Sequence, residues 1–418
     1  MAIASEIAAT VRRIVAVLVC RPSLAFALAG VCLFACNPAS LAPRRSSLSQ
    51  GIVQEKELII RDLSAVEDPN RTSDPCASGL ATWSFGALMS RIAAQAGADD
   101  VPAFVLRWLR TWDEDQEVSG FIVPTQRMDG VITTRWLRDS GGDALDLSRA
   151  PFRLLAIANR IDLRKVDGDG NPIDAGEFRF VFGAVNTTCD KIPLQIILEF
   201  RQDAQSVDDV AAWAERWHAL GTLPFGEEFN AALQDLTDRI TALNQLRTND
   251  NAASFPDWEQ RTYVVAEGDL RLAPLDQTPD ASFEGGQALA DYVNANEEQI
   301  IADQHVVPAE MRGGAIPTDL DWSGTGMSDP FEARHHFALA SCNGCHGDET
   351  ATALVHVDNR NRYFMSDLSN YLTGRVMPIL DTMGRPRYFN ELQRRADDLQ
   401  SLLANGGALP APRLNRVH

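Results

Sequence analysis

Apolar and polar positions in the middle of this chain follow both helical and strand periods. From Trp83 onwards, and again after a cap at Asp99 or Asp100, apolar residues recur at helical spacing, which predicts two helices. Ser206 followed by Asp209 predicts a capping box at the start of another helix. An amphipathic pattern over 388–403 predicts a helix near the C-terminus.

Buried strands are predicted where short runs are apolar over most of their length, at 152–158, 178–185 and 193–200. Two further runs flank Glu267-Gly268-Asp269, which predicts a hairpin. The strands come in clusters with helices between the clusters. This order predicts an α+β fold, with mixed helix and strand, rather than a doubly wound α/β fold.

Charge divides the chain into segments. The 418 residues have a formal net charge of −19, but residues 329–418 carry ten basic and ten acidic side chains. This change coincides with the Gly- and Ser-rich stretch 322–330, which predicts a domain boundary. We therefore expect an acidic α+β domain over 76–328 and a small all-α domain over 329–418. The acidic balance argues against nucleic acid as a partner.

The N-terminus resembles the leader of a bacterial lipoprotein. Basic residues precede the apolar run Leu24–Phe34, which is too short to span a bilayer. The run ends in a sequence similar to a lipobox, in which Cys36 would be lipidated. Residues 1–35 are thus expected to be a signal peptide and 36–75 a flexible tether. An ordinary signal peptide and an uncleaved anchor are the alternatives.

The expected location is the periplasmic side of the bacterial outer membrane, because Asn37 differs from the Asp that is associated with inner-membrane retention. A secreted or freely periplasmic protein is the alternative. Of the seven cysteines, two lie in the leader, one is the lipidation site and two belong to the motif described next. Cys76 and Cys189 remain, and a disulfide between them is predicted. Two buried thiols are the alternative.

The residues Cys342-Asn343-Gly344-Cys345-His346 form a Cys-x-x-Cys-His motif. Two thiols about one helical turn apart can add across the two vinyl groups of a haem, and the adjoining histidine then binds the iron. The motif predicts one haem c, attached at Cys342 and Cys345, with His346 as the proximal ligand. Such attachment takes place outside the cytoplasm in most bacteria, in agreement with the leader.

The surroundings of the motif resemble a small class I c-type cytochrome. In that family one helix leads into the motif, a last helix crosses it, and a methionine ligand comes from the loop between them, often as Met-Pro. Residues 330–340 and 388–403 correspond to the helices, and Met377-Pro378 to the loop. The resemblance implies Met377 as the distal ligand, although it follows His346 by only 31 positions.

His356 is the main alternative for the distal position, because its neighbours are apolar. An open sixth position is a further alternative, as are the remaining candidate ligands, Met365, Met383, His335 and His336. The rest of the chain is similar to a family of uncharacterised bacterial lipoproteins that has no assigned activity. The segments that carry this likeness are 159–163, 176–183 and 337–346.

These features predict a lipid-anchored monohaem cytochrome that passes single electrons to a periplasmic redox partner. Arg360 and Arg362 are candidate contacts for the haem propionates. One alternative is a haem enzyme of the peroxidase-like type, which needs a displaceable sixth ligand. Another is a surface-binding lipoprotein with a zinc site, formed by Cys342, Cys345 and either His346 or His356.

Overall fold

The computed structural model of the protein describes residues 51–239, 241–252 and 258–407. The expected signal peptide and Cys36, the expected lipidation site, lie outside the described residues. The described strands are β1 (Ile59–Ile60), β2 (Gln116–Val118), β3 (Phe121–Val123), β4 (Phe152–Arg160), β5 (Asp174–Val185), β6 (Lys191–Asp203), β7 (Leu243–Asp250), β8 (Glu259–Ala266), β9 (Asp269–Ala273), β10 (Ala315–Pro317), β11 (Ile379–Leu380) and β12 (Pro386–Arg387).

The described α-helices are α1 (Gln54–Glu57), α2 (Leu63–Val66), α3 (Phe85–Ala96), α4 (Val101–Arg110), α5 (Thr134–Asp139), α6 (Val207–Ala219), α7 (Glu227–Thr237), α8 (Gln287–Ala295), α9 (Glu297–Ile301), α10 (Glu332–Ala340), α11 (Cys342–His346), α12 (Asn370–Thr373) and α13 (Glu391–Asn405). No helix in the part of the chain that the structure describes is long and apolar enough to cross a membrane.

One antiparallel sheet of eight strands forms the centre of the fold. Its strands follow the order β1-β4-β5-β6-β7-β8-β10, and β9 pairs with the second half of β8. In the middle of the sheet, Phe180 of β5 lies between Ile157 of β4 and Leu198 of β6. Every residue of β4 and β5 is buried, so both faces of the sheet are covered.

The expected fold class, a mixed domain followed by a small all-α domain, is wrong. The C-terminal segment packs onto the large sheet, and its side chains at Cys345, Tyr371 and Leu399 join the same apolar core as the strands. It also contains the two short strands β11 and β12. Within this segment, the helices α10, α11 and α12 have nine, five and four residues, which are too few to form a core of their own.

The two faces of the sheet differ in chemistry. Along β5, Phe178, Phe180 and Phe182 point to one side, which we call the aromatic face. The ring of Phe178 lies 6.3 Å from Trp217 of α6, and that of Phe182 lies 5.5 Å from Phe85 of α3. Helices therefore cover this face.

The opposite side of the sheet, which we call the arginine face, carries Arg179 and Val181 of β5 because successive side chains of a strand alternate. The segment 342–372, here the covering segment, lies on this face. Its Asn359 accepts a hydrogen bond from Gln195 of β6 at 2.7 Å and donates one to the backbone oxygen of Leu194 at 3.2 Å. The C-terminal segment is thus fastened to the strands by side-chain contacts.

Local predictions hold where they depend on neighbouring residues. The Ser206 hydroxyl accepts a hydrogen bond from the Asp209 amide at 3.2 Å, as the capping box requires. Helix α3 ends at Gly97, whose φ of 71° is left-handed, and the predicted hairpin is present as β8 and β9. The C-terminal helix begins at Glu391, slightly later than predicted.

The expected tether is folded in its described second half. Leu58, Ile59 and Ile60 are buried, and β1 pairs with β4 along the edge that does not pair with β5. The predicted disulfide between Cys76 and Cys189 is present, with Cα atoms 6.1 Å apart. It joins the loop before α3 to the turn between β5 and β6.

Candidate functional site

The Cys-x-x-Cys-His motif forms the single buried turn of α11. The hydroxyl of Ser341 caps this turn by accepting a hydrogen bond from the Gly344 amide at 3.2 Å. A side chain does not fit at Gly344, because a Cβ atom there would lie 2.0 Å from the carbonyl oxygen of Ala338. The motif glycine thus allows the turn to approach the end of α10.

Polar contacts from other segments of the chain hold the turn in position. The indole nitrogen of Trp322 donates hydrogen bonds to Ser341 Oγ and to Asn343 Oδ1, both at 2.8 Å. The amide of Cys342 donates to Thr278 Oγ1 at 2.9 Å. Since all of these residues are buried, the two cysteines and the histidine are presented by a well-supported turn.

His346 has the tautomer that iron ligation requires. Its Nδ1 lies 2.8 Å from the backbone oxygen of Leu354, which can only accept, so Nδ1 carries the proton and Nε2 has the lone pair. The indole ring of Trp258 stacks on the imidazole, with centroids 5.3 Å apart. Burial lowers the pKa of His346 to about 3, so that the ring is neutral near pH 7.

The two motif cysteines are not bonded to each other and are buried. Burial raises the pKa of Cys342, and it raises the pKa of Cys345 to about 12, because a thiolate is poorly solvated there. Both sulfurs are therefore neutral thiols in the protein alone. A thioether at each position would keep the sulfur neutral.

His356 of the covering segment lies beside the motif. Its Nε2 is 3.4 Å from the sulfur of Cys345, and its ring centroid is 4.4 Å from that of His346. Its Nδ1 is 2.9 Å from the hydroxyl of Ser369. Burial and the neighbouring imidazole of His346 hold the pKa of His356 well below its ordinary value.

Both histidines line a cavity of about 60 Å³ between the covering segment and the arginine face. Three arginines from three different elements also line it: Arg160 of β4, Arg179 of β5 and Arg395 of α13. The rest of the lining is largely apolar and comprises Ile59, Ala158, Val181, Ile197, Val357 and Leu372, with the amides of Gln195 and Asn249.

Buried carboxylates accompany the arginines of this cavity. Arg160 pairs with Asp162 at 3.0 Å, and Arg395 pairs with Glu391 at 3.1 Å. Burial, followed by the charge of Arg160, lowers the pKa of Arg395 to about 10. The positive charge of Arg395 is thus only partly compensated, and an additional anion near it would be stabilised.

Other residues that the sequence singled out lie outside this cavity. The side chain of Met377 is half exposed, at 51 %, in the segment before β11. Arg360 is buried against Glu67, and Arg362 pairs with Asp74 at 2.7 Å. The remaining candidate ligands are also elsewhere: Met365 and Met383 are exposed, His335 contacts Glu349, and His336 contacts Asp303.

The arginines of the cavity were missed in the sequence, although a signal for them exists. Arg179 lies inside a run that is otherwise apolar and was predicted to be a buried strand. A charged residue in a buried strand needs a partner, so such a position indicates a polar site on that face. Arg395 has no comparable signal, because charges are ordinary on an amphipathic helix.

The zinc alternative needs at least three ligand atoms that lie close together. Within the described ranges, the groups of three metal-binding side chains whose ligand atoms lie within 4.8 Å of one another do not include Cys342 or Cys345. The donor set suits haem, since it has two thiols on one turn, a neutral histidine with the correct tautomer and nearby arginines. No family model, curated protein or solved structure matches this chain.

Proposed function

We propose that this protein binds one haem c through thioethers to Cys342 and Cys345 and transfers single electrons. The observation that carries the proposal is the buried Cys-x-x-Cys-His turn, in which His346 donates from Nδ1 to a carbonyl oxygen and borders a cavity of the arginine face. When bound, the haem supplies an iron that alternates between ferric and ferrous states. The protein supplies ligation, burial and electrostatics.

Each side chain of the site has a separate task in this proposal. His346 binds the iron through Nε2, and Trp258 keeps the imidazole plane in place by stacking on it. Arg160, Arg179 and Arg395 are the nearest cations to the cavity, so we assign them the haem propionates in place of Arg360 and Arg362. An arginine can bind a carboxylate with two parallel hydrogen bonds, which also orients the carboxylate.

For the sixth ligand, the geometry favours His356 over Met377. The imidazole of His356 lines the same cavity as His346, whereas the Met377 side chain is half exposed and absent from the lining. Ligation by two histidines lowers the reduction potential relative to histidine and methionine. His356→Ala is expected to convert a low-spin ferric spectrum to a high-spin one, and Met377→Ala is expected to leave it unchanged.

The size of the cavity constrains how the haem enters. A volume of about 60 Å³ is well below the roughly 300–1,000 Å³ of ordinary ligand pockets. The proposal therefore requires the covering segment to lie farther from the arginine face in the haem-bound protein than it does here.

Lipidation at Cys36 and a location on the periplasmic side of the outer membrane belong to the same proposal. The disulfide between Cys76 and Cys189 supports an oxidising compartment, since such bonds persist mainly outside the cytoplasm. Labelled palmitate should enter the wild-type protein and not the Cys36→Ala variant. Wild-type protein that takes up no palmitate would refute the lipid anchor.

The decisive test of haem binding is covalent attachment. Protein matured with the haem-attachment machinery should retain haem on a denaturing gel, and a pyridine haemochrome spectrum should report one haem per chain. The change of Cys342→Ala together with Cys345→Ala should abolish the stain. The matched control, Cys76→Ala with Cys189→Ala, removes the same number of cysteines and should keep it. Covalent haem that survives the first double change would contradict the assignment.

Zinc is the second candidate, because the 3.4 Å between Cys345 Sγ and His356 Nε2 suits two ligands of one tetrahedral ion. Elemental analysis that finds zinc and no haem would establish it. A peroxidase-like activity requires an open or displaceable sixth position. A high-spin spectrum in the wild-type protein, with rapid binding of cyanide, would favour that alternative.

A further inference from the structure

A second cavity lies beside the loop 66–81 and shares no lining residue with the motif cavity. Its volume is about 270 Å³, close to the lower end of ordinary small-molecule pockets. The polar part of its wall includes Glu67, Thr72, Asp74, Arg153 and Arg362. The apolar part includes Val66, Pro69 and Leu80.

Arg153 is the unusual member of this wall. It belongs to β4, its side chain is only 4 % exposed, and its Nη1 donates a hydrogen bond to the backbone oxygen of Arg360 at 3.1 Å. Its Nη2 is buried and has no acceptor among the described residues. A buried charged donor without an acceptor is costly, and an acceptor supplied by a ligand would remove that cost.

The charges around Arg153 leave an excess of one positive charge. The groups that act on it are the cations Arg360 and Arg362 and the carboxylates Glu67 and Asp74. Both carboxylates are already engaged, Glu67 by Arg360 and Asp74 by Arg362. Burial, and then the charge of Arg360, lowers the pKa of Arg153. The wall is therefore suited to an anion and not to a cation.

We propose that this cavity binds a small organic molecule through a carboxylate or phosphate group held by Arg153. Ser73 lies in the same wall, and its hydroxyl can donate a further hydrogen bond. The body of the ligand would contact Val66 and Leu80, and the large exposed surface of Leu80, at 59 %, would be covered on binding. This site is independent of the haem proposal.

The test is calorimetric titration of the full-length protein with three probes: inorganic phosphate, acetate and benzoate. Benzoate adds an apolar body to the carboxylate of acetate, so tighter binding of benzoate than of acetate indicates that the apolar wall contacts the ligand. Binding of phosphate but of neither carboxylate indicates a site for oxyanions that does not use the apolar wall. Absence of heat for all three probes up to about 10 mM overturns the proposal.

Variants locate the site. Arg153→Gln is expected to weaken binding by at least about tenfold. Ala81→Leu fills the cavity without changing a charge and should also weaken binding. This variant keeps the test valid if Arg153→Gln fails to fold. Arg271→Gln removes an arginine that is 54 % exposed and lies outside the cavity lining, and it should bind the probes like the wild type. The proposal would be overturned if Ala81→Leu bound the probes as tightly as the wild type. It would also be overturned if Arg271→Gln lost as much affinity as Arg153→Gln.

Discussion

The two faces of β5 are both buried, but they carry different kinds of side chain. On the aromatic face, Phe178, Phe180 and Phe182 pack against rings of the sheet and of α3 and α6. On the arginine face, Arg179 alternates with Val181 and lies under the covering segment with its charge paired to buried carboxylates. Both faces exclude water, but only the first does so with groups that prefer an apolar environment.

This difference indicates where stability and function reside. Buried apolar area stabilises the fold directly, whereas a buried ion pair roughly balances its attraction against the loss of hydration. A face that keeps several buried arginines therefore contributes little net stability for its size. In our proposal these arginines are retained because they bind the propionates of the haem.

The largest expected effect is on the aromatic face. Phe180→Ala removes a fully buried ring and should lower the free energy of unfolding by about 3–5 kcal/mol, because the ring leaves a cavity. Urea denaturation measures this change. Val181→Ala is the control on the other face and should cost less, since Val181 already borders a cavity. Equal losses at both positions would argue against the difference between the faces.

Breaking one charge pair on the arginine face should have the next largest effect. Arg247 and Glu199 lie 3.6 Å apart and are buried. Arg247→Met should lower the free energy of unfolding by about 3 kcal/mol, because Glu199 loses one of its cationic partners. Adding Glu199→Leu should recover part of this loss. If the double variant is less stable than the single one, the buried charges stabilise the fold and our interpretation fails.

Acid should destabilise the apoprotein through the histidines of the arginine face. The pKa of His346 is about 3 in the folded protein against an ordinary 6.5, so below pH 6.5 only the unfolded chain binds this proton. The free energy of unfolding therefore falls as the pH falls, by about 1.4 kcal/mol per pH unit for each such histidine. In His346→Gln the slope between pH 6.5 and 4.5 should be shallower by this amount. An unchanged slope would show that the histidine is accessible to protons.

The smallest effects concern two helix caps, one on α6 at the aromatic face and one on α11 at the arginine face. Ser206→Ala removes an exposed cap of α6 and should cost about 1 kcal/mol, with no change in the haem content of folded protein. Ser341→Ala removes the buried cap of α11 and should also lower the yield of covalent haem. Thermal denaturation and the pyridine haemochrome assay measure the two quantities. A loss of haem in Ser206→Ala as well would mean that stability alone controls attachment.

Several features could be predicted from the sequence because they depend on residues close together in the chain. The cap at Ser206, the left-handed end at Gly97 and the hairpin around Gly268 each follow from backbone hydrogen bonds within a few positions. The disulfide between Cys76 and Cys189 followed from counting the cysteines that remained. The prediction of a separate all-α domain was wrong. The amphipathic pattern of α13 shows that one side of the helix is buried, but it does not show which other elements that side packs against.

By itself, the amino-acid sequence determined the local elements and the spacing of the motif, since the intervals between Cys342, Cys345 and His346 fit one helical turn. Only the tertiary structure decided which groups surround that turn. It brings His356 to the motif and leaves Met377 at the surface, and it joins Arg160 and Arg395 at one cavity. The reason is that sheet register and helix docking depend on the packing of distant segments, which no short pattern encodes.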